Sequence, residues 1–159
     1  MTHRLNYAQQ SPQLLERVSQ LSQAIHSASI EKPLLELVQV RASQINGCAF
    51  CVDMHVKEAK IHGERELRLH HLVIWRESPL FSDRECAALE WTEAVTDVAR
   101  SGVPDALYER VKAKFSGQEL TDLTLAINMI NFWNRLCVSF RSVPGSADQM
   151  FGLDRAGLH

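Results

Sequence analysis

Apolar residues recur at every third or fourth position through most of the chain, which is the spacing of one face of an α-helix. The first predicted helix begins at Ser11-Pro12, because proline is tolerated in the first turn of a helix. The pattern predicts an all-α fold, a compact bundle of about six to seven helices. The predicted segments are approximately residues 12–26, 32–45, 48–63, 64–75, 83–102, 104–117 and 120–140.

The last of these segments, from about Leu120 to Phe140, is apolar on more than one face. One face carries Leu123, Ile127, Ile130 and Cys137, and the other carries Met129, Trp133, Leu136 and Phe140. Such a helix lies in the centre of the core or at a subunit interface. Asn128, Asn131 and Arg135 form a polar stripe within it, and we predict that they support a functional site or contact another subunit.

The residues after Val143 differ in composition and begin with a Pro-Gly turn signal. We predict a helical domain of residues 1–143, followed by a tail of residues 144–159 rich in Gly, Asp and Arg. A tail frays unless it packs on something. The apolar residues Met150, Phe151 and Leu153 are therefore expected to anchor it, with a neighbouring subunit as the predicted surface.

The composition of the chain excludes some classes of function. The chain has 159 residues, 45% of them apolar, which suffices for one domain with a real core. Its formal net charge of −2 gives no electrostatic reason to bind nucleic acid or an anionic membrane. The first residues lack the apolar stretch of a signal peptide, so we expect a cytoplasmic protein. In that reducing compartment a close cysteine pair is more often catalytic or metal-binding than structural.

Cys48 and Cys51 form such a Cys-x-x-Cys pair, and His55 follows four residues later. The turn signal Asn46-Gly47 places both cysteines in the first turn of the predicted helix 48–63. Free backbone N–H groups and the positive end of the helix dipole favour a thiolate there, so the cysteine pKa is expected to fall below its usual value. Cys51 and His55 share one helix face, which places a base beside a sulfur atom.

Glu36 lies on the preceding predicted helix, which starts at Lys32-Pro33. If the Asn46-Gly47 turn folds the two helices against each other, Glu36 and His55 lie roughly 16 and 12 Å from the turn, at ~1.5 Å per residue. One side chain can span that difference. We therefore predict a hydrogen bond between Glu36 and His55, and a proton relay from Glu36 through His55 to Cys51.

These residues resemble the core motif of the AhpD alkylhydroperoxidase family, within the carboxymuconolactone decarboxylase superfamily. The resemblance is close over residues 34–63 and extends to later segments similar to those of short single-domain members. It implies an all-helical peroxidase that assembles as a homotrimer or homohexamer. By position, Cys51 attacks the peroxide, Cys48 resolves it, and Glu36 and His55 form the relay. Some members carry a histidine between the cysteines where this chain has Phe50, so one proton carrier is missing.

The expected reaction is the reduction of a hydroperoxide. A Cys51 thiolate would become a sulfenic acid, which condenses with Cys48 to a disulfide. An unidentified external dithiol must then reduce that disulfide, and no bound cofactor is expected.

Other interpretations stay open. Cys48, Cys51, His55 and Glu36 could together bind zinc. The cysteine pair could also belong to a redox-responsive regulator or a disulfide reductase without efficient peroxide turnover. A decarboxylase is possible by fold, but that branch of the superfamily does not need the cysteine pair. Attachment of haem is excluded because Val52, not histidine, follows Cys51. Cys86 has no partner at motif spacing and is interpreted as a small apolar core residue.

Overall fold

The structure is a computed structural model and describes residues 2–158. Within that part the chain forms ten α-helices, seven of them long, with no β-strand. The all-α prediction is therefore confirmed. The helices are α1 (Tyr7–Gln10), α2 (Pro12–His26), α3 (Lys32–Ile45), α4 (Ala49–Ile61), α5 (Glu66–His71), α6 (Asp83–Thr96), α7 (Val98–Ser101), α8 (Asp105–Lys112), α9 (Gly117–Phe140) and α10 (Asp148–Phe151).

The helix starts follow local capping chemistry. A capping box opens α6, because the Ser82 side chain accepts from the Glu85 backbone N–H while the Glu85 carboxylate accepts from the Ser82 backbone N–H. A second capping box, formed by Ser116 and Glu119, opens α9. For this reason α9 begins at Gly117, three residues before the predicted start.

Two predicted helices are each divided in the structure, and a third, predicted over 104–117, ends earlier, at Lys112. The segment 64–75 is not one helix: α5 ends at His71, and a 3₁₀-helix, Leu72–Glu77, contains a non-helical residue at Ile74. Val73 and Ile74 are β-branched and disfavour a continuing α-helix. The tighter turn buries Trp75, whose Nε1–H donates to Glu93 at 2.8 Å. The helix after Ser82 also ends early, at Thr96, and the short α7 carries the chain to the next turn.

The central helix of the bundle is α3, which packs against α4, α6 and α9. Its buried residues are Leu34, Leu35, Glu36, Leu37, Val38, Gln39, Val40, Ala42 and Ser43. One apolar cluster joins α3 to α6, α8 and α9, and a second joins it to α4 and the α5 region. A third, smaller cluster surrounds the cysteines near the end of α3. The cysteine pair therefore lies inside the bundle.

The segment after α9 folds back onto α4 of the same chain. Lys57 on α4 pairs with Asp148 at 2.7 Å, and Asp53 accepts from the Gly145 backbone N–H at 3.0 Å. A 3₁₀-helix, Leu153–Ala156, contributes the buried side chain of Leu153. The two other predicted anchors, Met150 and Phe151, are exposed. Packing of those two residues on a neighbouring subunit stays a prediction.

None of the helices in residues 2–158 has the length and apolar character needed to cross a membrane.

Two buried asparagines on α9 hold the end of α3. The Asn46 side-chain amide donates to Asn131 and to Asn134, each at 2.9 Å. Asn134 is fully buried and its own amide donates to Ser43 Oγ at 3.0 Å. Asn131 also donates to Thr96 Oγ1 on α6 at 3.0 Å. A buried polar group without partners is costly, so this network couples α9 to the turn that precedes Cys48.

We expect Asn134→Ala to lower the free energy of unfolding by roughly 1–3 kcal/mol, because Asn46 and Ser43 lose a buried partner. Asn128→Ala is the matched control: its side chain is exposed and donates only within its own helix. The measurement is urea unfolding followed by circular dichroism. Equal midpoints for the two variants would contradict the structural role of Asn134.

Candidate active site

The candidate site is built on the turn between α3 and α4. Gly47 adopts φ +63°, a left-handed conformation that favours glycine. The Gly47 N–H donates to the Gln44 carbonyl at 3.2 Å, and the Cys48 N–H donates to the Ser43 carbonyl at 3.0 Å. This pair of bonds is a Schellman motif, which ends α3. Cys48 therefore completes the end of one helix and is also the N-cap residue of the next.

The two motif sulfur atoms lie together in the first turn of α4. Cys48 Sγ and Cys51 Sγ are 2.8 Å apart, and Cys48 Sγ accepts from the Cys51 backbone N–H at 3.4 Å. The two residues are only 2% and 1% exposed. Both are free thiols, and a small side-chain rotation would bring the sulfurs to the disulfide bond length of about 2.05 Å.

A third cysteine completes the site. Cys137, in the last turn of α9, is 4% exposed, and its sulfur and those of Cys48 and Cys51 lie within 4.8 Å of one another. The Tyr7 hydroxyl lies 3.7 Å from Cys137 Sγ. Among the described residues, these three cysteines are the group spaced to hold a metal ion. His55 and Glu36, which the sequence placed in a possible zinc site, are not part of that group.

The three thiols of the site differ in pKa. Contact with the thiols of Cys48 and Cys51 lowers the pKa of Cys137 far below its usual value. Contact with Cys137, together with burial, raises the pKa of Cys51 and of Cys48. Burial and the nearby Cys137 also raise the pKa of Tyr7 to about 12. The prediction that both motif cysteines have a lowered pKa is therefore wrong, because these buried thiols donate to a neighbouring sulfur.

The helix dipole acts in the opposite direction. The first turn of α4 presents positive partial charge to Cys51, whereas the last turn of α9 presents negative partial charge to Cys137. The contacts and the dipole thus favour different sulfurs for the same negative charge. The lowered pKa of Cys137 leads us to expect one negative charge in the three-thiol cluster at neutral pH.

The predicted hydrogen bond between Glu36 and His55 is wrong. His55 Nδ1–H donates to Glu58 at 2.7 Å, while Glu36 accepts from Nδ1–H of His62 at the end of α4. Glu58 lies three residues after His55 on the same helix face, so this hydrogen bond forms within α4 and does not link α4 to α3. Glu36 and Glu58 lie at a similar level, roughly 16 Å from the turn, and each carboxylate contacts a different histidine.

The two carboxylates differ electrostatically. Burial raises the pKa of Glu36 and outweighs the opposing contact with His62. Burial also acts to raise the pKa of Glu58, but the hydrogen bond and charge of His55 outweigh it, and the net pKa lies below its usual value. Lys32 Nζ donates to the remaining ring nitrogen of His62 at 2.9 Å. Glu58 is therefore the carboxylate that orients the His55 ring.

An open groove of about 540 Å³ leads to the cysteine turn. It is lined by Ser43, Gln44, Gly47, Cys48, Ala49, Val52, Asp53 and Pro144. Of the two motif cysteines, Cys48 lines this groove and Cys51 does not. An external molecule that enters the groove therefore meets Cys48 first.

A sequence profile of the carboxymuconolactone decarboxylase family matches residues 12–94, more than half of the chain. The match spans α2, α3 and α4 and includes both motif cysteines. The chain belongs to the carboxymuconolactone decarboxylase family. Within this family it is an AhpD-like member, as the sequence motif predicted. The profile match does not reach α9, so Cys137 lies outside it.

Relatives in the family extend over nearly the whole chain. The uncharacterized protein YdfG of Bacillus subtilis is 38% identical over 139 residues, which cover 87% of this chain and 95% of YdfG. A solved structure from Agrobacterium tumefaciens is 44% identical with a TM-score of 0.87, covering 90% of this chain and 98% of the other. Its function is unknown, and the name antioxidant defence protein AhpD has been suggested for it.

A third solved structure, the debrominase Bmp8, has a TM-score of 0.75 at 17% identity, covering 92% of this chain and 78% of Bmp8. At that identity the likeness shows a shared fold and no more.

Sequence reasoning missed two residues of this family member's site. Glu58 left a local signal, its spacing of three residues from His55. Cys137 left none, because its approach to the cysteine pair depends on how α9 packs against α4. The predicted polar stripe on α9 was right for Asn131, which holds the turn before Cys48. Asn128 is exposed and bonds to its own helix.

We expect the wild-type protein to show about one thiolate per chain near pH 6, well below the ordinary thiol pKa of about 8.5. The lowered pKa of Cys137 means that this thiolate is lost on acidification and gained early as the pH rises. The measurement is the thiolate absorbance at 240 nm during a pH titration. Cys137→Ala should move the first step to higher pH, because one sulfur of the cluster is removed.

Cys86→Ser is the control for that titration. Cys86 lies on α6 in a different apolar cluster, so its removal should leave the first step unchanged. A wild-type curve with no thiolate until about pH 8 would contradict the shared negative charge.

Proposed function

We propose that this protein is a thiol-dependent hydroperoxide reductase. The observation that carries the proposal is the pair of buried sulfur atoms 2.8 Å apart in the first turn of α4. Two thiols this close can give up two electrons by forming a disulfide. Membership of an AhpD-like family and the antioxidant name suggested for the Agrobacterium relative support the same chemistry.

The proposed reaction has two steps in the protein. The Cys51 thiolate attacks one oxygen of the hydroperoxide, the O–O bond breaks, and an alcohol or water leaves while Cys51 becomes a sulfenic acid. The Cys48 thiol then displaces hydroxide from that sulfur, forming the Cys48–Cys51 disulfide and releasing water. The peroxide is reduced by two electrons, and the two cysteines lose them.

Proton transfer is assigned to His55 and Glu58. The leaving oxygen needs a proton, and His55 lies one helical turn after Cys51 with its Nδ1 held by Glu58 at 2.7 Å. That hydrogen bond leaves Nε2 as the nitrogen free to exchange a proton. Glu36 is bound to His62 and would influence the proton transfer only indirectly, through the electrostatic field of the site.

Regeneration requires an external dithiol. In the oxidised protein the sulfur nearer to solvent is that of Cys48, because Cys48 lines the groove. A dithiol in the groove would attack Cys48, release the Cys51 thiolate, and then close its own disulfide to free Cys48. The oxidised reductant leaves and the starting thiols are restored.

We expect Cys51→Ser to abolish the consumption of cumene hydroperoxide in the presence of excess dithiothreitol, because the attacking sulfur is removed. Cys48→Ser should consume one equivalent and then lose steady turnover, because the sulfur that a dithiol reaches from the groove is removed. Cys86→Ser should match the wild-type rate. The measurement is the loss of peroxide over time in a ferrous-dye assay. A wild-type protein oxidised once without steady turnover would favour a redox-responsive regulator.

We expect His55→Gln to lower the rate of peroxide reduction by roughly 100-fold, the contribution of one general acid or base. Glu58→Gln should lower it by a smaller factor, about tenfold, because His55 remains but loses its orienting partner. The comparison variant is Glu36→Gln, since Glu36 contacts His62 and not His55. A larger loss for Glu36→Gln than for Glu58→Gln would overturn the assignment of the relay.

A further inference from the structure

Cys137 occupies a position that the two-cysteine reaction does not use. Its sulfur lies within 4.8 Å of both motif sulfurs, in an apolar cluster that also contains Ala42 and Ile130. Cys137 comes from α9, whereas Cys48 and Cys51 belong to α4 and the turn before it. The contact is therefore made by tertiary packing.

We propose that Cys137 is a second resolving thiol, which forms a disulfide with oxidised Cys51 when Cys48 does not. The proposal rests on the proposed function for its natural oxidant, although any thiol oxidant can test it. With a hydroperoxide, the Cys51 sulfenic acid and the Cys137 thiol give the Cys51–Cys137 disulfide and water. With diamide, Cys51 adds to the N=N bond and Cys137 displaces the hydrazine product, which keeps the two electrons.

The surroundings of Cys137 suit this role. Cys137 is 4% exposed and packs in an apolar cluster with Ala42 and Ile130. The Tyr7 hydroxyl lies 3.7 Å from its sulfur and can donate to a thiolate. Cys137 also lies near the end of α9, where the chain leaves the helix through a left-handed residue, Arg141. Its sulfur has to move by no more than a few ångströms to reach Cys51.

The consequence is protection of Cys51. A sulfenic acid that meets no thiol is oxidised further to sulfinic acid, which is irreversible in most proteins. Because the thiols of Cys48 and Cys137 both lie within reach, either one can form a disulfide with oxidised Cys51. The two disulfides also differ in topology: Cys48–Cys51 closes a single helical turn, whereas Cys51–Cys137 links α4 to α9 and closes a long loop of the chain.

The experiment compares three metal-free, reduced variants: Cys48→Ser, Cys48→Ser/Cys137→Ala and Cys48→Ser/Cys86→Ser. Serine is a preferred N-cap residue, so Cys48→Ser keeps a side chain that can accept from the Cys51 N–H. Each variant is treated separately with diamide and with one equivalent of cumene hydroperoxide. The products are read by non-reducing gel electrophoresis, peptide mass mapping and dimedone labelling of sulfenic acid.

We expect Cys48→Ser and Cys48→Ser/Cys86→Ser to lose two thiols with either oxidant, mapped to a Cys51–Cys137 disulfide, and to migrate faster because of the long closed loop. Cys48→Ser/Cys137→Ala should instead give a dimedone adduct on Cys51 with hydroperoxide. At excess peroxide it should gain two oxygen atoms on Cys51 faster than Cys48→Ser does.

A stable dimedone-reactive Cys51 in Cys48→Ser, with Cys137 still free after both oxidants, would overturn this proposal and leave the peroxidase intact. A Cys51–Cys137 disulfide formed with diamide but not with hydroperoxide would support Cys137 as the partner of Cys51 and count against the peroxidase. Mapping the same disulfide as a minor product in the oxidised wild-type protein provides a second measurement that needs no substitution at Cys48.

Discussion

The site depends on one constraint, the reversal of the chain between α3 and α4. Gly47 takes the left-handed conformation that lets the Cys48 N–H reach the Ser43 carbonyl. The residue that completes the C-terminal cap of α3 is therefore also the N-cap of α4. This shared residue sets the angle between two helices that pack closely along their length. It also places the Cys51 N–H against Cys48 Sγ. A residue other than glycine at position 47 would be strained by the left-handed conformation, even though a Cβ there would meet no neighbouring atom within 4 Å.

The reversal is held from outside by α9. Asn131 and Asn134 accept from the Asn46 amide, and Asn134 reaches Ser43, whose carbonyl is the acceptor in the same turn. The buried amides favour one register of α9 against α3, since a shift would leave them without partners. That register also brings Cys137 to the cysteine pair. The same contacts therefore position both the buried asparagines and the thiol of Cys137 on α9.

The three thiols form a more polarisable centre than a simple cysteine pair. The contacts among them favour a thiolate on Cys137, whereas the dipole of α4 favours one on Cys51, and the three sulfurs lie within 4.8 Å of one another. The His55–Glu58 pair stands on the next turn of α4, with Glu58 ionised by its contact with His55. The proposed reaction thereby assigns electron transfer and proton transfer to adjacent turns of one helix, with the groove that Cys48 lines at its start.

Local patterns were enough to predict the all-α fold, the bounds of α3, the start of α4 and the motif Cys48, Cys51 and His55, because capping, turn chemistry and helical spacing act over a few residues. Tertiary structure decided which groups meet. Glu36 and His55 lie at similar distances from the turn, yet His55 contacts Glu58 and Glu36 contacts His62. Cys137 joins the site only through the packing of α9, and contacts between residues far apart in sequence leave no periodic signal.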